Sequence, residues 1–96
     1  MSKATLIVSG RVKDEQKVNS YREKAILVLK KYGAILPPKS RSVLSVLAGD
    51  RRPASLLEIE FESEKNITDA FSDPDYISII NLRDEGFEDL SIYIVQ

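Results

Sequence analysis

In LEIEFES, residues 57–63, apolar and polar positions alternate from 57 to 62: Leu57, Ile59 and Phe61 interleave with Glu58, Glu60 and Glu62. A period of two is what a strand shows when one face is buried and the other is not. ATLIVSGRVK at 4–13 reads the same way, with Leu6, Val8 and Val12 on one face and Thr5, Ile7, Ser9, Arg11 and Lys13 on the other. FEDLSIYIV at 87–95 is the last such segment. Between the first two the period changes. Val18, Tyr21, Ala25, Val28, Leu29 and Tyr32 recur at three- and four-residue steps, one apolar stripe on a helix. Asp14 is its N-cap, Gly33 its left-handed stop, and Lys30 and Lys31 suit the negative end of the helix dipole.

AILPPKSRSVLSVLA at 34–48 reads as a second extended stretch, with Pro37 and Pro38 breaking its ladder early or marking an edge, and GDRRP at 49–53 as a hairpin connection longer than two residues. Ser63 caps a short helix bearing Ile67, Ala70 and Phe71. Asp73 and Pro74 restart it, and Tyr76, Ile77 and Ile80 carry its apolar side to about Asp84. The order is β-α-β-β-α-β, which predicts an α+β, ferredoxin-like plait. Right-handed crossovers give an antiparallel four-stranded sheet in spatial order 4-1-3-2, both helices on one face. They would cover Leu6, Val8, Leu57, Ile59, Phe61, Ile92 and Ile94. The other face, with Ile7, Ser9, Arg11, Tyr93 and the three glutamates, is left bare.

At 96 residues, 43% of them hydrophobic, the chain is expected to be one domain, residues 1–96. A domain this small gains from dimerisation. The longest apolar run, AILVL at 25–29, is far too short for a membrane span, and no secretory signal opens the chain. With no cysteine, disulfides are excluded and the cytoplasm is the expected compartment. With no histidine either, there is no thiolate nucleophile, no Ser-His-Asp triad and no zinc site of nitrogen and sulfur ligands. Acid-base work would fall to Asp, Glu, Lys or Tyr. No cofactor is expected, and alternate strand positions do not bring Glu58, Glu60 and Glu62 onto one metal ion.

Charge changes the picture further. Residues 1–52 hold 12 Lys/Arg and 4 Asp/Glu, net +8; residues 53–96 hold 2 and 11, net −9. Either the basic half meets an anionic partner, or the halves neutralise each other within or between chains, the reading favoured here because the acidic half would repel phosphate. On the bare face, carboxylates roughly 7 Å apart repel by about 0.6 kcal/mol in water and about 2 kcal/mol at an effective dielectric of 20. Covered glutamates therefore need cations. Hairpin geometry suggests Arg41 for Glu60, and the antiparallel pairing suggests Arg11 for Glu58.

YREKAILVLKKYGA, LAGDRRPASLLEIEFES and AFSDPDYISIINLRDEG together resemble a bacterial family of small domains of unknown function in the dimeric α+β barrel superfamily. The matching positions are Tyr21, Gly33, Gly49 with Pro53, Glu60 with Phe61, Tyr76, and Leu82 with Arg83. Ala34 departs from the family's second glycine, and Pro37-Pro38 is not typical of it. The resemblance implies a homodimer that packs bare face to bare face, with the glutamates looking into its interior.

The candidate site follows from these residues. Glu60 is the candidate acid-base or ligand-anchoring group, or else half of a structural pair with Arg41. Arg83 is the candidate anchor for an anionic ligand, or else a clamp on Asp84 and Glu85. Tyr21 and Tyr76 would stand at the rim, or else pack in the core. The expected activity is binding or conversion of a small polar or aromatic acid in a pocket between sheet and helices. The alternative is a non-catalytic interaction or assembly module whose dimer is the functional unit. Nucleic acid ranks last as a partner, because strand 1 lacks an aromatic and Phe61 points toward the helices. No membrane partner is expected.

Overall fold

The computed structural model describes residues 3–37 and 39–96; the sequence reading of Pro38 lies outside them. The elements are β1 (Ala4–Val12), α1 (Glu15–Lys31), β2 (Arg41–Ser42), β3 (Ser55–Phe61), α2 (Glu64–Ser72), α3 (Pro74–Ile77), α4 (Ile80–Gly86) and β4 (Phe87–Val95). The four strands form one antiparallel sheet in the order β2-β3-β1-β4, the expected 4-1-3-2 plait. Leu6 lies opposite Ile59 and Ile94, and Val8 opposite Leu57 and Ile92. These residues form one core with Ala25, Val28 and Leu29 of α1 and Ile67, Ala70, Tyr76 and Ile79 of the later helical segments. The alternation read from LEIEFES thus decides which sheet face is covered.

Local chemistry sets the boundaries. Asp14 Oδ1 accepts from the Lys17 amide at 3.2 Å, and Ser63 Oγ accepts from the Asn66 amide at 3.2 Å, so both helices start at side-chain caps. Gly33 follows α1 at φ +89, a conformation that disfavours any side chain. Asp73 Oδ1 accepts from the Asp75 amide at 2.8 Å, with Pro74 opening α3.

Two expectations need correction. First, the second helix is divided again after Ile77. The Ile79 amide bonds to the Tyr76 carbonyl, a tighter three-residue step, before α4 resumes. Second, the extended stretch at 34–48 contributes little strand. Ile35 makes an isolated bridge to Glu60, β2 has two residues, and 43–54 connects it to β3 without regular structure. Pro37 has no amide to give the ladder, and this stretch lies at the sheet edge with nothing beyond it. Leu44 and Leu47 are left 95% and 97% exposed. The last strand lies at 87–95 as expected and carries a bulge: Asp89 and Leu90 together face Gly10, with Asp89 at φ +52. A Cβ on Gly10 would lie 3.2 Å from Leu90 Cδ1, so glycine suits the crowded side of the bulge.

Among the described residues no helix is long and apolar enough to cross a membrane. Ion pairs join the basic half to the acidic half within the chain: Lys17 with Glu85 at 3.5 Å, Lys31 with Asp73 at 2.9 Å and Arg41 with Glu58 at 3.7 Å. Complementary halves account for part of the charge segregation.

Candidate functional site

Tyr21 stands on the apolar stripe of α1, and Tyr76 lies in α3 where Asp73 and Pro74 have restarted the helix. Their hydroxyl oxygens are 2.9 Å apart, with the rings edge to face at 6.1 Å. Arg83, one turn into α4, donates from Nη1 to the Tyr76 hydroxyl at 3.1 Å and from Nε to Asp84 Oδ1 at 3.0 Å. Its guanidinium also lies 5.9 Å from the centre of the Tyr76 ring. Three of the five residues singled out in the sequence therefore meet at the junction of α1, α3 and α4.

Tyr76 is 1% exposed, so its hydroxyl hydrogen needs a protein acceptor. Arg83 has no acceptor to offer, which leaves the Tyr21 oxygen. The chain then runs Arg83 to Tyr76 to Tyr21, and the Tyr21 hydrogen is free to donate onward. Burial, reinforced by Tyr76, pushes the Tyr21 pKa well up, so its hydroxyl stays neutral and remains a donor. For Arg83, burial opposes the charge, but the bonds to Tyr76 and Asp84 outweigh it and raise the pKa. The cation is permanent.

Arg83 borders a hollow of about 480 Å³ beside β4. Its apolar walls include Leu6, Ile67, Phe71, Ile92 and Ile94, and its polar groups are Arg83, Asp84, Thr68 and Tyr93. Nε and one Nη1 hydrogen are used, and the Nη2 group makes no bond among the described residues. A second hollow of about 460 Å³ lies between α1 and the middle of the sheet, with Tyr21 on its wall.

Glu60 and Arg41 belong elsewhere. Ile59 and Phe61 point into the core, so Glu60 projects from the open face, where it is exposed opposite Thr5. The sheet separates it from Arg83. The expected Arg41–Glu60 contact is replaced by Arg41–Glu58, because Arg41 aligns with Leu56 rather than with residue 60. That pair is largely exposed rather than sheltered. Arg11 does not reach Glu58, which lies opposite Ile7; it donates instead to the Arg52 carbonyl. Glu58 and Glu60 do share a shallow hollow of about 240 Å³ with Lys39 and Arg41. No group of three acidic residues among those described is arranged to hold a metal ion.

The sequence reading missed Asp73 as anything beyond a cap. It is 6% exposed and accepts from Tyr32 Oη at 2.7 Å and Lys31 Nζ at 2.9 Å. The signal was Lys31-Tyr32 at the end of α1, but only the tertiary fold shows that α3 begins there. Phe71, expected only on the face of a short helix, lines both the hollow beside Arg83 and the one under α1.

Solved structures share the fold at low identity. A protein of unknown function from Rhodopseudomonas palustris superposes with a TM-score of 0.82 at 14% identity, covering 97% of this chain and 80% of that one. A dimeric protein of unknown function with a ferredoxin-like fold, from Bacteroides fragilis, gives 0.59 at 18% identity, covering 98% and 95%. Hydroxynitrile lyase from Passiflora edulis gives 0.69 at 14% identity, covering 98% and 92%. No curated protein matches the chain. The model of one family, described as a domain of unknown function (DUF1330), matches residues 3–96, and with that match over almost its whole length the chain belongs to this family.

Proposed function

We propose that this DUF1330 domain binds a small aromatic or otherwise apolar acid in the hollow beside Arg83. One observation carries the reading: a permanent cation, held from two sides by Tyr76 and Asp84, stands at the edge of an apolar hollow with its Nη2 group unspent. A carboxylate accepts from such a group through charge-assisted bonds, while its apolar body rests on Leu6, Ile67, Ile92 and Ile94. Tyr21 and Tyr76 then hold the arginine in place. Glu60 and Arg41, on the open face, serve the subunit contact instead. The test is calorimetric titration of benzoate, phenylacetate and longer aryl acids against their amides, with wild type and Arg83→Met. Acids should bind the wild type, and Arg83→Met should weaken them roughly ten- to hundredfold. Equal binding of acids and amides, or acid binding unchanged by Arg83→Met, overturns the reading.

A second reading, a homodimer as the functional unit, is favoured by Leu44 and Leu47, which stand free of the rest of the chain. Tyr93 and Val95 on the open sheet face are also substantially exposed. A second copy placed face to face would cover them. The Bacteroides fragilis protein of similar fold is described as dimeric, which supports this reading. A single domain over residues 1–96 working in the cytoplasm, where the lack of cysteine carries no penalty, fits both readings.

A further inference from the structure

Two hollows of nearly equal size flank the side chain of Phe71. The one beside Arg83 measures about 480 Å³ and the one under α1 about 460 Å³. Leu6 and Phe71 line both. Leu6 stands on β1, 2% exposed, and belongs to the floor that the sheet provides. Phe71 comes from α2 on the helical side, with its ring centre 4.4 Å from that of Tyr76. Phe71 is therefore the helix-side residue that the two hollows share. Phe71 is also unusual among its neighbours. Ile67, Ala70 and Tyr76 around it are buried, whereas Phe71 is only half-buried, because open space adjoins it in both hollows.

We propose that Phe71 divides what would otherwise be one channel between sheet and helices, and so sets the length of acid the domain accepts. The inference rests on Arg83 as the anchor. With the carboxylate at Arg83, the body of the ligand extends over Leu6 toward Phe71. A short acid fits in front of the ring. A longer one meets the ring, although apolar room lined by Val8, Ala25, Leu57 and Ile59 lies on its other side. Removing the ring would open the hollow of about 480 Å³ toward the one of about 460 Å³. Each methylene that enters apolar space strengthens binding about fourfold, and one that meets the wall does not.

The experiment titrates straight-chain carboxylic acids from butanoic to dodecanoic, and the matching alcohols, against wild type, Phe71→Leu and Phe71→Ala. Folding is checked by circular dichroism. Leucine keeps the helix face apolar and filled, so Phe71→Leu carries the test if Phe71→Ala fails to fold. The wild type should gain affinity about fourfold per carbon up to a short limit and then lose it. The limit should move to longer chains in Phe71→Leu and further in Phe71→Ala. The same limit in all three proteins overturns the proposal. If the alcohols show the moving limit and the acids bind no better than they do, the partition stands and Arg83 as anchor falls. Binding of neither series to any variant overturns both.

Discussion

Tyr32 Oη donates to Asp73 Oδ2 at 2.7 Å across 41 residues of sequence, tying the end of α1 to the start of α3. Lys31 Nζ reaches the same oxygen at 2.9 Å, and the other oxygen caps α3 through the Asp75 amide. One carboxylate thus fixes the position of Tyr76, and through Tyr76 that of Arg83.

Those bonds, led by Lys31 and then Tyr32, hold the Asp73 carboxyl at about 2, below its ordinary 3.8. A depressed carboxyl stabilises the fold fully above its unfolded value, and the contribution is lost as pH falls from about 3.8 toward 2. Thermal melts of wild type should therefore drop across this window. Asp73→Asn keeps a capping oxygen but no charge, and its melting temperature should be lower at pH 7 and flatter below pH 4. Asp73→Ala loses the cap as well and should melt lower still. Parallel melting curves for wild type and Asp73→Asn through the acid range would refute this.

The hydrogen-bond chain at the site predicts an asymmetry between its two tyrosines. Tyr21→Phe leaves a buried Tyr76 hydroxyl hydrogen with no acceptor and should cost about 1–3 kcal/mol. Tyr76→Phe removes that hydrogen and leaves only partly exposed groups, Tyr21 and Arg83, to find water, so it should cost about 1 kcal/mol. Urea denaturation of both variants checks the order. A larger loss in Tyr76→Phe would reverse the assigned direction of the chain.

Gly86 is packed where no side chain fits. A Cβ there would lie 2.8 Å from Val18 Cγ2 and 3.1 Å from the Val18 amide nitrogen. The Gly86 carbonyl also accepts from the Lys13 and Asp14 amides, at 2.7 and 3.0 Å, so the strand-to-helix corner cannot slide away. Gly86→Ala should destabilise by about 1–3 kcal/mol. Val18→Ala removes the methyl but not the amide clash and leaves a cavity of its own, so the double variant should lose less than the sum of the two single losses. Chemical denaturation showing Gly86→Ala as stable as wild type would contradict the packing.

Asp84 offsets the charge of Arg83 and competes with a ligand carboxylate for it. Asp84→Asn should tighten acid binding several-fold and leave binding of the neutral amides unchanged, as calorimetry can show. Weaker acid binding in Asp84→Asn would make Asp84 a ligand-orienting group rather than a competitor.

Period and caps made most of the fold legible. Leu6, Val8, Ile59 and Phe61 declared the covered face of the sheet, and Asp14, Ser63, Asp73 and Pro74 the helix starts. The second strand is shorter than expected: Val43, Leu44, Val46 and Leu47 look like strand residues, whereas beyond the Val43 amide, which still bonds to the Ala54 carbonyl, no ladder continues among the described residues. The Arg41 pairing failed with it, since register depends on the length of that connection. Tyr21, Tyr76 and Arg83 could be named as candidates, but not joined. Their meeting depends on the break after Ile77, which sets how α4 follows α3. Placing Glu60 and Arg83 in one site overlooked the sheet between them, although the alternation already put Glu60 on the bare side.

The most direct measurement is a set of nuclear Overhauser contacts from the aryl protons of bound phenylacetate to assigned methyl groups. Binding beside Arg83 predicts contacts to methyls of Leu6, Ile67, Ile92 and Ile94, lost together with binding in Arg83→Met. Contacts instead to Ile7, Val95 or Ile35, around Glu60 on the open face, would contradict it.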